Sequence, residues 1–496
     1  MALTDITRPS DVALNTDLYE LTMAQGYWES GMMGGEGCFN VFFRDAPFKG
    51  GYGIACGIGQ IADLVENFVY DDASIDYLAG VQAPGGGAMF KPGFLEYLRD
   101  FRMHVDVWAI PEGELVFARE PMVRVQGPLI DCQLIETALL NLVNFQTLVA
   151  TKTARVVHAA EGHPVSDFGL RRAQGPDGGL AVARASYIGG ASSTSNVLAG
   201  KIYGIPVFGT HAHSWVMSFP TELDAFRAFA ASSPKNCVLL LDTYDVHEGI
   251  KHAITVAKEM EERGERLAAV RIDSGDLARL SKAARKAFDE ADLPYVKISA
   301  SNDLDEYTIQ SLFAQGAPID SFGVGTKLAT CDPQPSLGGV YKLSATRETP
   351  EDPWDPVIKL SEQAYKRTIP GVQHIKRYYD TAGVPVGDMI VDDSVDSGDA
   401  TSMVDVLDGL TSYDLSDATP VEMLVKVVED GHRVGEAESL EAAKARCREA
   451  IMHLDPATKR FLNPQTYPVG LERGLAELRN ELALEEAKGS GRRTSR

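Results

Sequence analysis

The sequence predicts an α/β protein in which a parallel (β/α) barrel follows an N-terminal mixed α/β domain and precedes a small C-terminal region. From about residue 136, apolar β-branched runs alternate with longer amphipathic stretches, the pattern of βα units. Polar residues follow each apolar run directly. Because 496 residues exceed the size of a single core, we place domains at 1–135, 136–345 and 346–496.

The predicted barrel strands share a short apolar run with a polar end. They are PVSDFG (164–169), IPVFGT (205–210), CVLLLDTYD (237–245), AAVRIDSGD (268–276), YVKISASND (295–303) and IDSFGVGTK (319–327). From residue 205 onward their starts lie 24 to 32 residues apart, enough for a strand, a crossover helix and two loops. The carboxyl ends of barrel strands meet on one face, where catalytic sites are built, whereas an open doubly wound sheet gathers them only at its switch point.

The regions on either side of the predicted barrel differ from it in composition. The first 135 residues are rich in glycine, as in FKGGYGIACGIGQ, and contain short strand candidates such as CFNVFF. After about residue 345, the Pro-rich and acidic stretches TRETPEDPWDP and VDDSVDSGDA precede a charged, helical C-terminus. We expect the basic tail KGSGRRTSR to be disordered.

Composition limits the classes of partner. A formal net charge of −23 argues against broad binding to nucleic acids or membrane surfaces, so anionic ligands would need a local basic island. No basic region followed by an apolar run opens the chain, and no apolar stretch reaches about 18 residues. Six scattered cysteines fit neither a metal motif nor a disulfide scaffold. We therefore expect a soluble, cytoplasmic protein.

The segment GTHAHSW places His211 and His213 at the end of a predicted strand. An exposed imidazole on the face that carries the site is suited to catalysis, although a structural histidine is the alternative. Their i, i+2 spacing resembles a metal-binding pair only weakly, since no cysteine or glutamate lies nearby.

Two further strand ends carry acidic residues. DTYD supplies Asp242, and RIDSGD supplies Arg271 and Asp273. The mixed signs indicate hydrogen bonding or metal-assisted phosphate binding, because carboxylates orient ribose hydroxyls and hold Mg²⁺. Alternatively, Asp273 and Ser274 cap the following helix.

The segment DFGLRRAQG puts an aromatic ring, Phe168, three residues before Arg171 and next to a second cation, Arg172. An aromatic face with a guanidinium suits a flat anionic ring, since arginine grips a carboxylate through two hydrogen bonds. An ordinary surface ion pair is the alternative for Arg171.

The segment GVGTKLAT, residues 323–330, combines small residues with a hydroxyl and Lys327 after a strand. Its backbone N–H groups could approach a phosphate closely. It matches neither the P-loop nor the dinucleotide fingerprint, and a tight turn is an equal alternative.

Taken in order, TDLYELTMAQGYW, DFGLRRAQGPDGG, SSTSNVLAG, GTHAHS, RIDSGDL and FGVGTKL resemble the nicotinate phosphoribosyltransferases, over residues 16–328. The resemblance implies the type II phosphoribosyltransferase fold, with an irregular α/β barrel and an N-terminal α/β domain. It implies an enzyme that joins nicotinate to phosphoribosyl pyrophosphate in NAD salvage, with ATP as a co-substrate and Mg²⁺ as cofactor. It also implies a homodimer with shared active sites.

The resemblance assigns substrate contacts by position. Tyr19 would stack on the pyridine ring opposite Phe168, in a site shared between subunits. Arg171 would meet the nicotinate carboxylate, with Thr210 close by. A nicotinamide-specific relative carries an aspartate where Ser195 stands here; this aspartate would accept a hydrogen bond from an amide but repel a carboxylate, so Ser195 favours nicotinate.

The remaining implied roles concern the phosphoribosyl group and ATP. His213 matches the histidine that ATP phosphorylates, whereas His211 holds a variable place and is not assigned to catalysis. Asp273 and Asp242 are counted with His213 as catalytic, Asp242 as a ribose or Mg²⁺ contact, although the metal ligands themselves stay unassigned. The implied phosphoribosyl and phosphate contacts are Arg271, Gly323, Gly325 and Thr326, with Lys327 a less certain member.

Two other classes of function stay open from the sequence. A metabolite sensor would keep the pocket without turnover. An unrelated barrel enzyme such as an aldolase would need a Schiff-base lysine at a strand end, for which Lys297 is the candidate.

Overall fold

A computed structural model of the protein describes residues 9–360, 367–394 and 400–487, and the predicted disordered tail lies outside them. The chain divides into two compact units. Unit 1 consists of Met1–Leu148 and Ser336–Arg496, and unit 2 is Val149–Pro335. This division differs from the three predicted domains, because the N-terminal and C-terminal regions belong to one unit.

The strands are numbered in chain order. They are β1 (Glu36–Phe43), β2 (Gly53–Ile54), β3 (Asp106–Ala109), β4 (Leu115–Val116), β5 (Val123–Pro128), β6 (Val165–Asp167), β7 (Ser193–Thr194), β8 (Val238–Leu240), β9 (Ala269–Ile272), β10 (Lys297–Ser301), β11 (Ser321–Val324), β12 (Gly339–Arg347), β13 (Asp355–Pro356), β14 (Gln373–Tyr379), β15 (Pro385–Asp392), β16 (Ser402–Asp405), β17 (Ser412–Asp414), β18 (Thr419–Glu422), β19 (Val425–Glu429), β20 (His432–Arg433) and β21 (Val469–Glu472).

The α-helices are numbered in the same way. They are α1 (Leu18–Glu29), α2 (Ile61–Glu66), α3 (Asp72–Gly80), α4 (Pro92–Arg99), α5 (Leu129–Leu134), α6 (Glu136–Ala159), α7 (Gly175–Ile188), α8 (Val197–Tyr203), α9 (His213–Met217), α10 (Glu222–Ser232), α11 (Val246–Glu262), α12 (Leu277–Glu290), α13 (Glu306–Ala314), α14 (Thr326–Ala329), α15 (Leu440–His453), α16 (Pro456–Lys459) and α17 (Arg473–Ala487).

Unit 2 is built on a parallel sheet with the strand order β7-β6-β11-β10-β9-β8. The chain order is that of a barrel, because the last strand, β11, pairs with the first, β6. Five of the six predicted strands are confirmed. The sixth, residues 205–210, is wrong as a strand, since Val207 forms only an isolated bridge with Thr194. The barrel is therefore irregular, with its break between β7 and β8.

The helices that cover this sheet follow the amphipathic spacing seen in the sequence. In α11, the buried residues Ile250, Ala253, Ala257 and Met260 recur every three or four positions, so they form one apolar face. In α12 the same spacing buries an apolar face between charged positions. Burying these faces against the strands holds the strand ends in place.

Unit 1 takes strands from both ends of the chain. Its seven-stranded antiparallel sheet has the order β13-β12-β1-β5-β3-β19-β20, so β1 pairs with β12 and β3 pairs with β19. A second, mixed sheet has the order β17-β16-β21-β15-β14-β18. The predicted charged, helical C-terminus is present as α15 and α17. The sequence did not predict strands β14 to β20, which lie between residues 373 and 433 and belong to both sheets.

A buried ion cluster joins N-terminal and C-terminal segments of unit 1. Arg377 donates from Nε (3.0 Å) and Nη2 (2.7 Å) to Asp388, and from Nη1 to Glu114 (2.9 Å). The Tyr467 hydroxyl also donates to Asp388 (2.7 Å). Burial, and then the nearby Asp388, raises the pKa of Glu120 well above its usual range. One guanidinium therefore compensates several carboxyl groups inside the core.

The described residues contain all six cysteines, each of them buried and reduced. Among these residues, no helix combines the length and the apolar character needed to cross a membrane.

Replacing Arg377 with methionine tests the cluster. The substitution leaves buried carboxylates without their counter-ion, so we expect the free energy of unfolding to fall by about 3–5 kcal/mol in urea denaturation. As a control, Arg433→Met removes an exposed pair with Asp63 and should cost less than about 1 kcal/mol. Equal losses in the two variants would contradict the role of the cluster.

Candidate functional site

Two loops of unit 2 carry the same pattern, D-x-x-D, directly after a strand. In DTYD, Asp242 follows β8 and Asp245 caps α11. In DSGD, Asp273 follows β9 and Asp276 caps α12. The alternative in which Asp273 caps this helix is therefore wrong. The second aspartate of each loop fixes the helix, and the first is available for the site.

The two first aspartates are linked by hydrogen bonds. Oδ2 of Asp242 accepts from the Asp273 N–H (3.1 Å) and from the Ser274 hydroxyl (2.5 Å). Oδ1 of Asp273 accepts from the Ser301 hydroxyl, at the end of β10. Oδ1 of Asp242 is buried and has no hydrogen-bond partner among the described residues. Three neighbouring strand ends thus hold a carboxylate pair with an unsatisfied acceptor.

His213 lies beside this pair, at the first residue of α9. Its Nδ1 is 3.1 Å from the Thr243 hydroxyl, and its Nε2 is 3.8 Å from Oδ2 of Asp273. The side chain is 41% exposed. Thr243 therefore orients the ring, and Nε2 is left accessible next to the carboxylates.

Arg271 brings positive charge to the same place. Its Nη2 donates to the carbonyl of His211 (3.3 Å), while its buried Nε has no partner among the described residues. Burial lowers the pKa of Arg271; Asp273 and Asp242 oppose this effect, and Arg171 adds to it. The guanidiniums of Arg171 and Arg271 are therefore close enough for their positive charges to repel each other. Arg171 itself is exposed, in a 3₁₀ turn at Leu170–Arg172.

The aromatic ring of Phe168 packs on a glycine. A Cβ on Gly323 would lie 2.5 Å from two of its ring carbons, and a Cβ on Gly325 would lie 3.2 Å from its carbonyl oxygen. The ring of Phe208 is nearly parallel to it, with centroids 6.4 Å apart. Gly323 is therefore needed to accommodate the Phe168 ring, and Gly325 lies close to the Phe168 backbone.

Ser195 and Thr210 lie on the loops beside Phe168. The Ser195 N–H donates to the carbonyl of Asp167 (2.8 Å), and the Thr210 hydroxyl donates to the His211 carbonyl (3.2 Å). The Asp167 carboxylate accepts from the Gly169 N–H and from the Thr194 hydroxyl, both at 2.8 Å. Burial raises the pKa of Asp167. Asp167 thus ties together the loops after β6 and β7.

His211 spans the break in the barrel. Its Nε2 accepts the backbone N–H of Leu240 in β8 (3.2 Å), and its ring packs edge-on against Phe229. The residue is 7% exposed, and burial lowers the pKa of its imidazole to about 4. Residues 205–210 pair with Thr194 of β7, and the neutral ring of His211 supplies the hydrogen bond to β8. This structural role agrees with leaving His211 outside catalysis.

The two lysines of interest are each held by a carboxylate. Lys327 is 2.7 Å from Oδ2 of Asp305, next to Thr326, the first residue of α14. Lys297 opens β10, and its Nζ is 3.0 Å from Oδ1 of Asp320. Because Lys297 lies at the amino end of its strand, it is far along the strand from the polar carboxyl ends. Lys297 is therefore not placed to form the Schiff base that an aldolase would need.

Tyr19 belongs to unit 1, at the second residue of α1. Its side chain is 45% exposed. Partial burial, with Glu136 and Glu20, raises the pKa of its hydroxyl to about 12, so the ring stays neutral at physiological pH.

The structure adds positions that the sequence argument did not single out. Thr243 orients His213, Ser301 binds Asp273, and Asp167 joins two loops. The sequence could have identified all three, because each lies in the polar segment that ends a predicted barrel strand. Among the described residues, no group of three or more histidine, cysteine or acidic side chains could hold a metal ion.

Replacing His211 tests its role at the break. His211→Leu leaves the Leu240 N–H without an acceptor and should lower the free energy of unfolding by about 1–3 kcal/mol at pH 7.5. His211→Gln restores a carbonyl acceptor and should recover part of this loss. Urea denaturation measures both, with the exposed His247→Leu as control. A leucine variant as stable as the parent would contradict the assignment.

The same histidine predicts a pH dependence. Its pKa is lower in the folded protein, about 4, than the ordinary value of 6.5, so the unfolded chain takes up the proton first as the pH falls. The contribution of His211 to stability should be complete above pH 6.5 and should decline towards pH 4. In His211→Gln, the slope of unfolding free energy against pH over this range should be smaller.

Family models match most of the chain. Models of the nicotinate phosphoribosyltransferase (NAPRTase) N-terminal domain, the NAPRTase family and the NAPRTase C-terminal domain match residues 14–144, 164–382 and 372–479. The nicotinate phosphoribosyltransferase of Bacillus subtilis is 44% identical over 371 residues, which cover 75% of this chain and 74% of that protein. That of Caenorhabditis elegans is 35% identical over 537 residues, covering 96% and 94%.

A solved structure extends the comparison to the fold. The crystal structure of human nicotinic acid phosphoribosyltransferase matches with a TM-score of 0.80 and 32% identity, over 94% of this chain and 99% of that chain. The predicted type II phosphoribosyltransferase fold is thereby confirmed. The chain therefore belongs to the nicotinate phosphoribosyltransferase family.

Proposed function

We propose that this protein forms nicotinate mononucleotide and pyrophosphate from nicotinate and phosphoribosyl pyrophosphate, and couples this transfer to ATP hydrolysis through a phosphohistidine at His213. Membership of the family supports the phosphoribosyl transfer. One observation carries the proposal: His213, at the start of α9, lies beside Asp242 and Asp273, which follow the adjacent strands β8 and β9.

Nicotinate would bind next to Phe168, with Arg171 as the partner of its carboxylate. Stacking on the ring provides contact area, and the guanidinium provides selectivity for a negative charge. Ser195 and Thr210 border the same loops and add hydroxyl groups without adding negative charge. A carboxylate at Ser195 would repel nicotinate, so its absence favours nicotinate over nicotinamide.

Phosphoribosyl pyrophosphate would bind across the ends of β8, β9 and β11. Arg271 would neutralise part of its charge, and the Asp242 and Asp273 carboxylates would accept hydrogen bonds from ribose hydroxyls. Gly323, Gly325 and Thr326 would bring backbone N–H groups to a phosphate. Lys327 is a weaker candidate for this contact, because Asp305 already holds it.

The proposed transfer needs alignment more than proton transfer. The nicotinate ring nitrogen attacks C1 of the ribose with its lone pair, the bond from C1 to pyrophosphate breaks, and pyrophosphate leaves with the electron pair. No proton must be removed from the nucleophile. Holding both substrates in line could therefore supply several kcal/mol of the barrier, and the arginines would stabilise the leaving charge.

A magnesium ion fits the carboxylate pair. Asp242 has a buried, unsatisfied Oδ1, and Asp273 lies next to it. One or two carboxylates together with substrate phosphates are the ligand set that Mg²⁺ prefers. When bound, the ion would neutralise charge on the pyrophosphate. Asp242 and Asp273 would hold it there while also orienting the ribose.

ATP coupling is assigned to His213. Its Nε2 is the accessible ring nitrogen, since Nδ1 lies within hydrogen-bond distance of Thr243. A bond from Nε2 to the γ-phosphorus would form as the bond to ADP breaks, and water would later release the phosphate. The added negative charge beside Asp273 and Arg271 would rearrange their contacts, which is the proposed link to the transfer.

The proposed function also includes an assembly and a cellular location for the protein. We infer a homodimer in which Tyr19 of the partner subunit completes the nicotinate pocket; its exposure on α1 and its neutral ring support this. Six reduced cysteines support a cytoplasmic location.

Assays with two substrates test the proposed specificity. Purified protein with phosphoribosyl pyrophosphate and Mg²⁺ should form mononucleotide from nicotinate in preference to nicotinamide. Arg171→Met should raise the KM for nicotinate about 10- to 150-fold, because a hydrogen bond to a charged group contributes a binding free energy of this size. Arg172→Met is the matched control. A preference for nicotinamide, or a larger effect of Arg172→Met, would overturn the assignment; binding without product would support a sensor instead.

Replacing His213 with alanine tests the coupling. We expect nicotinate-stimulated ATP hydrolysis to be lost, together with acid-labile labelling of the protein by γ-³²P-ATP, while some uncoupled mononucleotide formation remains. His247→Ala, an exposed histidine of the same unit, should behave like the parent. Unchanged ATP coupling in His213→Ala would refute the phosphohistidine.

A further inference from the structure

Three arginine side chains line one cavity of unit 1, although the chain has a formal net charge of −23. Arg119 follows β4, Arg367 precedes β14 and Arg479 lies in α17, so three distant segments supply the charge. The cavity has a volume of about 250 Å³. We propose that it is a binding site for a small phosphate-bearing anion, separate from the site at the strand ends of unit 2.

Arg479 provides the strongest sign of a ligand. The residue is 7% exposed, and its Nη1 donates to the carbonyl of Val406 (2.9 Å). Its buried Nε has no hydrogen-bond partner among the described residues. Leaving a buried charged donor unsatisfied is unfavourable, and an anion in the cavity beside this guanidinium would compensate its charge.

The arginines also repel one another. Burial lowers the pKa of the Arg479 guanidinium, and Arg367 and Arg119 lower it further, while Asp405 opposes the effect. Like charges gathered in a partly desolvated cavity destabilise the empty site. A bound anion would reduce this repulsion, because the three arginines line the same cavity.

The nearby carboxylates already have other partners. Asp408 lines the cavity, but it accepts hydrogen bonds from the N–H groups of Leu410 and Thr411 and from the Thr411 hydroxyl. Asp405 accepts from the Tyr413 hydroxyl (3.0 Å) and from backbone N–H groups of its own loop. Neither carboxylate forms an ion pair with Arg367 or Arg479. The positive charges of Arg367 and Arg479 are therefore not offset by an ion pair with either carboxylate.

The chemistry of the lining indicates the class of ligand. Guanidinium groups pair with phosphate oxygens through two parallel hydrogen bonds, which makes arginine clusters suited to phosphate groups. A volume of 250 Å³ is below the range of about 300–1,000 Å³ typical of pockets for larger ligands. The ligand is therefore small: inorganic phosphate, pyrophosphate, or the phosphate end of a nucleotide.

Calorimetric titration of the full chain tests the site, with inorganic phosphate, pyrophosphate and ATP as separate probes. The strand-end site would bind the same anions, so the titrations are repeated with Arg271→Met to weaken that site. We expect a binding event that survives in Arg271→Met and weakens about 10- to 150-fold in Arg479→Met. This design separates the two sites, since loss of the proposed activity would leave the Arg479-dependent event in place.

Two further variants keep the test decisive. Arg367→Met removes an exposed member of the cluster, so it should fold normally and still weaken binding. Arg473→Met, an exposed arginine on the same helix as Arg479, should leave binding unchanged. An Arg479-dependent event with phosphate or pyrophosphate identifies a free anion as the ligand, and one with ATP alone identifies a nucleotide. Thermal denaturation checks that Arg367→Met and Arg479→Met are folded. If both folded variants bind the anions as tightly as the parent, the proposal is overturned.

Discussion

The parallel direction of the strands of unit 2 is the constraint on which the candidate site depends. Because β8, β9 and β10 run the same way, their carboxyl ends lie side by side and bring Asp242, Asp273 and Ser301 into one hydrogen-bonded group. The second aspartate of each D-x-x-D loop then caps the next helix. One short pattern therefore both starts the covering helix and delivers a carboxylate to the site.

The irregular part of the barrel is stabilised by side chains instead of a strand ladder. His211 accepts a backbone N–H of β8, and the carbonyl of the same residue receives Arg271. The histidine that closes the break thus also positions a candidate substrate contact, two residues before His213. On the other side, Phe168 lies on Gly323, where no side chain could be accommodated. The position of Phe168 is a consequence of close packing at strand ends.

Buried arginines have two different environments in unit 1. Arg377 is surrounded by carboxylates and a carbonyl that satisfy its donors, so it joins the chain ends into one core. Arg479 is nearly as buried, but its Nε lacks an acceptor and two other guanidiniums lie nearby. The first arrangement is complete without a ligand. The second becomes favourable when an anion binds, which is the physical basis for the proposed second site.

The sequence by itself determined the α/β class, five of six barrel strands and the strand-end residues of the candidate site. These follow from local patterns: apolar runs set strands, amphipathic spacing sets helices, and polar residues come where strands end. Tertiary structure alone decided the pairing of β1 with β12 and of β3 with β19, the orientation of His213 by Thr243, and the gathering of Arg119, Arg367 and Arg479. These contacts join residues from 30 to more than 300 positions apart, and no local pattern encodes which distant segments will meet.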